Sequence, residues 1–320
     1  MSEAAEKKWL VVINPNAGVK KGAKEWPAIH RLLEQEGFPM ECVLTEYRGH
    51  AIQLTEKYIL GGYRNFAVVG GDGTLNEVLN GFFIQRTVPV TDLTLAMIPV
   101  GTGNDWGRSF GIPFDHRKAV QVLKRNKTVL QDVGKINFFK GEESRTRYFL
   151  NVAGMGYDAL VAKKTNLLKE KGRGGALAYI YFVFASLFQY RFMDAVIEVD
   201  GKEVYNGGVF SMNAGICKYN GGGMIQVPDA VPDDGILDFT LIRKASKWVV
   251  VRYAHKLYDG TISQVPIVSF FRGKSFRVSS GGKIYLEADG ESLGHTPFTI
   301  EILPLALKVV TGHQVPGAGN

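Results

Sequence analysis

The sequence predicts an α/β domain built on a parallel sheet, followed by a β-rich domain of sandwich or barrel type. Three observations carry that expectation. Fully apolar short runs alternate with stretches of helical spacing over the first third of the chain. Two of those runs end directly in glycine-rich turns. From about Val129 the pattern changes to many short β-like segments separated by turn signals.

Trp9 to Ile13 (WLVVI) is apolar throughout and stops at Asn14-Pro15, as a buried parallel strand does. Lys24 to Glu36 has helical spacing. Glu41 to Thr45 reads as a second strand and His50 to Leu60 as a second helix. Asn65 to Val69 (NFAVV) is a third strand that runs into Gly70-Gly71-Asp72-Gly73-Thr74, and a helix follows. Leu93 to Val100 is a fourth strand before Gly101-Thr102-Gly103. This βαβα order implies a parallel sheet covered by helices on both faces, with ligands at the carboxyl ends of its strands. Beyond Gln131, strands are predicted at Val133 to Phe139, Arg147 to Ala153, Ala195 to Val199, Glu203 to Asn213, Leu237 to Arg243, Ser275 to Ser279, Lys283 to Ala288 and Thr299 to Leu303. Asp200-Gly201, Asp234-Gly235 and Gly281-Gly282 supply turns between them. The domain boundary falls near residues 126–133.

At 320 residues the chain exceeds the size at which one core usually stops growing, so two domains are expected. Its 38 glycines point to many tight turns or close backbone approaches. The formal net charge of +7 favours anionic partners: nucleotides, nucleic acid or an acidic membrane surface. Nucleic acid is the weakest of these, because the basic residues are not interleaved with aromatics in a recognisable module. Only Cys42 and Cys217 are present, with no CxxC pair, which argues against a disulfide framework or a zinc site and for a reducing cytosol. No secretory signal is visible at Met1–Lys8, and no apolar run is long enough to span a bilayer.

Gly70-Gly71-Asp72-Gly73-Thr74-Leu75-Asn76-Glu77 carries the strongest chemical signal. A strand ends, glycines let the backbone approach a ligand, and the positive end of a helix begins, an arrangement that suits a phosphate. Leu75, Val78, Leu79, Phe82 and Phe83 form one apolar face, and Thr74 with Glu77 fits a capping box. Capping leaves Asp72 unexplained. An acid among phosphate-binding glycines is costly unless a divalent cation or a reacting hydroxyl is near. Pro99 to Asp105 (PVGTGND) is a second loop of this kind, but it lacks GxGxxG spacing. Gly18 to Lys24 lacks the Walker pattern, and protein-kinase motifs are absent.

Val11 to Gly18 (VVINPNAG), Thr45 with His50-Ala51, Gly70 to Gly81 (GGDGTLNEVLNG) and Pro99 to Asp105 together resemble the catalytic domain of the diacylglycerol kinase and sphingosine kinase superfamily. Their order and spacing are similar to those of the bacterial soluble lipid kinases. Asp229 to Asp238 (DAVPDDGILD) and Asp289-Gly290-Glu291 extend the resemblance over nearly the whole chain. GGDGT alone is shared with NAD kinases and phosphofructokinases; the combination with GTGND and a late DGE is more specific.

That resemblance implies an ATP-binding α/β domain of NAD kinase/phosphofructokinase type at 1–130 and a β-sandwich-like lipid-substrate domain at 131–320. Residues 305–320 would return to the first, and ATP and lipid would meet in the cleft between the two. ATP and Mg2+ are the implied cofactors. Asn14, Thr45, Gly70, Gly71, Asp72, Gly73, Thr74, Asn76, Glu77 and Thr102 match positions that hold ATP, with Asp72 positioning metal-ATP. The Asp234 carboxylate, with the carbonyls of Val231 and Ile236, matches a structural magnesium site, although Asp-Gly is also an ordinary β-turn. Asp289 and Glu291 match an acidic pair of which one accepts the proton of the lipid hydroxyl, and Glu291 is the preferred choice.

Lys163 to Arg173 is basic and Ala176 to Tyr190 (ALAYIYFVFASLFQY) is apolar and aromatic. The second segment is a helix packed on the second domain's sheet, an acyl-chain or headgroup contact, or both. The expected partner is thus a lipid at a membrane surface, met peripherally from the cytoplasm. A homodimer is left open. The rival readings are an NAD kinase and a non-catalytic lipid-binding relative. The lipid itself stays open among diacylglycerol, sphingoid bases, ceramide, phosphatidylglycerol and polyprenols.

Overall fold

The computed structural model describes residues 8–101, 103–170 and 176–313, with side chains outside 168–180, 183 and 184. The chain divides into two compact units, Met1–Gln131 with Leu305–Asn320, and Asp132–Pro304.

In the first unit, β1 (Trp9–Ile13), β3 (Asn65–Gly70) and β4 (Thr94–Pro99) are buried almost throughout, which is why they read as unbroken apolar runs. β2 (Met40–Leu44) is the edge strand. The strands pair in parallel in the order β4-β3-β1-β2. The end of a long strand, β16 (Glu291–Val310), adds to β4 through Lys308 and Val309. The connecting helices are α1 (Ala17–Gln35), α2 (His50–Leu60), α3 (Asp72–Ile84), α4 (Asp105–Ser109) and α5 (His116–Arg125). α1 starts earlier than the apolar spacing predicts, through a left-handed kink at Gly18, Val19 and Lys20. α3 is buried on more than its sheet face. A Cβ on Gly81 would lie 2.6 Å from Thr55 Cβ of α2, so only glycine permits the two helices to approach this closely.

The second unit is antiparallel. It contains β5 (Thr128–Lys140, shared across the boundary), β6 (Glu143–Phe149), β7 (Val152–Gly156), β8 (Met193–Val199), β9 (Lys202–Gly215), the short pair β10 (Tyr219–Asn220) and β11 (Met224–Ile225), β12 (Leu237–Arg243), β13 (Val268–Gly273), β14 (Ser275–Ser279) and β15 (Tyr285–Ala288). Its order is β13-β12-β9-β7-β15-β16, with β14 joining β16 to β8 and β5 joining β16 to β6. The predicted strand Arg147 to Ala153 is broken at Leu150-Asn151, because those amides bond to a side chain from a distant turn instead of to a neighbouring strand. β13 and α8 (Lys247–Tyr253) are not foreseen by the sequence reading. Between β7 and β8 lie α6 (Tyr157–Glu170) and α7 (Ala176–Gln189). Leu187 of α7 packs with Tyr157, Val161 and Phe210, while Tyr181 and Phe188 face solvent. The apolar segment is therefore partly core and partly exposed.

Candidate functional site

Three loops follow the carboxyl ends of β1, β3 and β4, the end of a parallel sheet where ligands bind. Their backbones converge. A Cβ on Gly18 would lie 3.3 Å from Gly101 Cα, and one on Gly101 would lie 3.4 Å from Gly71 Cα. Asn14 Nδ2 donates to Thr74 Oγ1 at 2.8 Å, and the Thr45 amide donates to the Ile13 carbonyl at 2.8 Å. Asn14, Thr45 and Gly70–Thr74 thus share one end of one sheet. Thr102 lies outside the described residues.

The Asp72 carboxylate reaches to the loop after β4. It accepts from the Asp105 amide at 3.0 Å and the Trp106 amide at 3.3 Å, the first two N–H groups of α4. A carboxylate there complements the helix end and ties the two glycine-rich loops together.

The predicted capping box does not form. The residue preceding α3 is Gly71, which has no side chain, and Thr74 is already the third residue of the helix. Glu77 instead accepts from the amides of Gly49 at 2.7 Å and Ala51 at 3.2 Å, and so caps the start of α2. Asn76 is fully buried, with its Oδ1 accepting from Asn80 Nδ2 at 3.1 Å.

Asn104 is absent from the predicted set, although it stands in the GTGND motif. It is left-handed (φ 52°) and 2% exposed, and neither its Nδ2 nor its Oδ1 has a hydrogen-bond partner among the described residues. Its Oδ1 would lie 2.7 Å from a Cβ on Gly101 and 3.5 Å from one on Gly71. A buried amide left unpaired costs about 1–3 kcal/mol, so this position calls for an incoming polar group. On this observation the loops fit the phosphates of a nucleotide.

The second unit holds the late acidic motif. Asp289-Gly290 is the two-residue loop between β15 and β16, and both residues are left-handed (φ 49° and 81°), as a type I′ turn requires. Asp289 is 4% exposed. Its carboxylate accepts from the amides of Leu150 (3.0 Å), Asn151 (3.0 Å) and Val152 (3.3 Å). Glu291 begins β16 opposite Ala288 and is partly exposed. Asp289 therefore fixes the turn, and Glu291 is the carboxylate it presents.

Two further carboxyls stand behind this turn. Glu287 accepts from the Gly290 amide at 2.7 Å. Burial, above all, pushes Glu287 up to about 8, with the charges of Asp158 and Asp289 adding to the effect. Asp158, on α6, accepts from Ser211, Asn213 and Gln226 and is also raised, by loss of water. No motif marks either residue; the only sequence signal is an acid two places before DGE.

Of the set Val231, Asp234 and Ile236, Asp234 supplies the one carboxylate, and its partners in the structure are protein groups. Asp234 accepts from Arg272 Nη2 at 2.6 Å and from the Ile236 amide at 3.0 Å. The carboxylate is thus paired with a guanidinium in this structure. Among the described residues, no group of three or more His, Cys, Asp or Glu side chains could hold a metal.

Residues 8–136 match the diacylglycerol kinase catalytic domain family, and residues 151–311 match the YegS C-terminal NAD kinase beta sandwich-like domain family. The diacylglycerol kinase of Staphylococcus carnosus is 30% identical over 97% of this chain and 96% of its own. That of Staphylococcus haemolyticus is 31% identical over 95% of this chain and 88% of its own. A solved diacylglycerol kinase structure from Bacillus anthracis superposes with a TM-score of 0.71 at 23% identity, covering 96% of this chain and 97% of that one. Yeast NADH kinase shares the fold alone, with a TM-score of 0.51 at 12% identity over 96% of this chain and 84% of its own. The chain belongs to the bacterial diacylglycerol kinase-like family of lipid kinases. Its fold is the family's α/β domain with a β-sandwich-like second domain.

Proposed function

We propose that the chain transfers the γ-phosphoryl group of ATP to the hydroxyl of diacylglycerol or a related lipid alcohol. The observation that carries this reading is the unpaired Asn104 amide, buried among three converging glycine loops in a chain of the lipid kinase family. Asn14, Thr45 and Gly70–Thr74 would hold the nucleotide, and Asn104 would pair with its phosphates. Bound ATP, accompanied by Mg2+ as part of the substrate, supplies the group to be transferred.

The protein's part is positioning and proton transfer. Asp72 keeps the two glycine loops in register. Glu291 accepts the proton of the lipid hydroxyl as its oxygen bonds to phosphorus and the bond to the ADP oxygen breaks. Asp289 holds the turn that presents Glu291. Of the carboxylates in the family's acidic pair, Glu291 suits the base role because Asp289 already accepts three amides.

Peripheral membrane contact completes the reading. Tyr181 and Phe188 of α7 and Trp248 of α8 are exposed, Trp248 to 77%. Lys247 donates to the Phe188 carbonyl, and Lys164 donates to Gln189 at 2.6 Å, which sets basic groups beside the aromatics. Aromatic and basic side chains together suit an anionic lipid surface. Among the described residues no helix is long and apolar enough to cross a membrane. Free Cys42 and Cys217 are in keeping with a reducing cytoplasm.

Phosphoryl transfer from labelled ATP to a panel of lipids in mixed micelles with magnesium tests this. NAD serves as control acceptor. Label in a lipid supports the reading and identifies the acceptor. Label in NAD alone, or in nothing, contradicts it.

A further inference from the structure

The turn that presents Glu291 is held at its centre by a residue no motif marks. Gly290 is gripped on both sides: its N–H by Glu287 at 2.7 Å, and its carbonyl by Asn166 Nδ2 of α6 at 2.9 Å. Glu287 stands on β15 directly opposite Gly154 of β7. A Cβ on Gly154 would lie 2.5 Å from Glu287 Oε1, 3.1 Å from Asp158 Cβ and 3.2 Å from Asn213 Oδ1. Glycine at 154 thus lets a carboxyl oxygen of Glu287, the Cβ of Asp158 and the amide oxygen of Asn213 crowd one point of the sheet where no side chain would fit.

The hydrogen bonds around Gly154 do not balance if Glu287 and Asp158 are both ionised. Asp158 takes three donors, from Ser211, Asn213 Nδ2 (3.0 Å) and Gln226 Nε2 (3.3 Å). Glu287 has the Gly290 amide on one oxygen and only a distant Asn220 Nδ2, at 3.4 Å, on the other. Asn213 is 1% exposed, and among the described residues its Oδ1 accepts from nothing. An unused acceptor and a carboxyl oxygen lacking a close donor thus both lie against Gly154. A proton on Glu287 would turn that oxygen into a donor for such an acceptor.

We propose that Glu287 is a positioning residue for the Asp289-Gly290-Glu291 turn and works as a neutral carboxylic acid, donating its hydroxyl to Asn213 Oδ1 while its other oxygen accepts from the Gly290 amide. The groups that face it agree with this state. α6 presents the acid Asp158, and the turn presents the acid Asp289. β7 offers Gly154, β9 offers Ser211 and Asn213, β10 offers Asn220, and β16 places Glu291 opposite Ala288. The influences that raise Glu287 are burial and these two acids, and those that lower it are hydrogen bonds from Gly290 and Asn220. Ionised, Glu287 would bring a further negative charge against Asp158 and Asp289 and lose its donor to Asn213. The turn would loosen, and Glu291 with it.

The inference rests on the lipid kinase reading for its catalytic consequence but not for its protonation state. Because folding raises the carboxyl from 4.5 to about 8, its stabilisation is complete below pH 4.5 and is lost progressively as pH rises to about 8. Thermal unfolding of the full chain and of Glu287→Gln should be measured from pH 5 to 9.5, with kcat and KM for lipid phosphorylation beside it. Glu287→Gln mimics the neutral acid. Its Tm should gain on the wild type as pH climbs to 8 and then run parallel. Its kcat at pH 7 should stay within about threefold, and the wild type's loss of kcat through pH 8 should vanish. Glu287→Ala should lose kcat by about 10²-fold with KM little changed, as misplacement of a reacting group does. A Glu287→Gln protein that folds but is as slow as Glu287→Ala at pH 7 would overturn the proposal, since it would show that the charge is needed. So would a Tm–pH curve unchanged by Glu287→Gln. Failure of the wild type to label any lipid would overturn the kinase reading instead, and the unfolding curves would still decide the proton.

Discussion

The Asp72 carboxylate accepts from the backbone amides of both Asp105 and Trp106, at 3.0 and 3.3 Å. The acid of the first glycine-rich loop thereby caps the helix that follows the second. Asp72→Asn keeps one acceptor and turns the other into a donor aimed at an N–H. Unfolding should become easier by about 1–3 kcal/mol, the cost of leaving an amide unpaired. Phosphoryl transfer should fall by at least about 10²-fold, because loops displaced by an ångström no longer hold the nucleotide in place. Urea unfolding and initial rates on the same preparation check both. Full activity in a protein that has lost stability would leave Asp72 a purely structural cap.

Glu77 makes a contrasting case. Its bonds to the Gly49 and Ala51 amides stabilise the start of α2. Glu77→Ala should cost about 1–2 kcal/mol, within the range of lost helix caps. The KM for ATP should then change less than in Asp72→Asn, because the Gly49 and Ala51 amides that Glu77 holds lie at the start of α2. A KM for ATP raised by more than about tenfold at unchanged stability would mean that Glu77 contacts the nucleotide.

Arg272 bridges Asp234 and Asp238, reaching Asp238 Oδ1 at 2.9 Å. Asp238 is buried, and loss of water raises its carboxyl above the usual range. Arg272→Ala removes its counter-ion. Stability at neutral pH should drop by about 1–3 kcal/mol. The deficit should shrink as the pH is lowered and Asp238 takes a proton, which thermal melts between pH 4 and 7 would show.

For the membrane surface, Trp248→Ala and Lys247→Glu should each weaken sedimentation with vesicles containing anionic lipid. A basic residue near such a surface contributes about 1 kcal/mol, and reversing its charge should cost more. Replacing Lys163 and Lys164 should act in the same direction. Unchanged vesicle binding across all of these would remove α7 and α8 from the docking surface.

Much of the fold was legible because it rests on local pattern. β1, α2, β12 and β14 occupy the residues that apolar periodicity and turn signals mark out. The glycine loops were readable as phosphate sites because strand, glycines and helix lie together in the chain. What escaped depends on partners far away. Leu150 and Asn151 look like mid-strand residues, yet their amides serve Asp289, 139 and 138 positions on. Glu77 reads as a local cap, and its real partners lie 26 and 28 residues earlier. Glu287 occupies a strand position whose inward side becomes evident only when β7 and α6 are packed beside it.

Glu291 is the group proposed to take the proton of a lipid hydroxyl during transfer from ATP. The most direct test of that role is the steady-state rate of diacylglycerol phosphorylation by Glu291→Gln, with Tm measured on the same sample. General-base catalysis contributes about 10²–10⁴-fold, so kcat should fall by that factor while Tm and the KM for ATP hold. A Glu291→Gln protein that retains wild-type kcat would show that Glu291 does not take the proton.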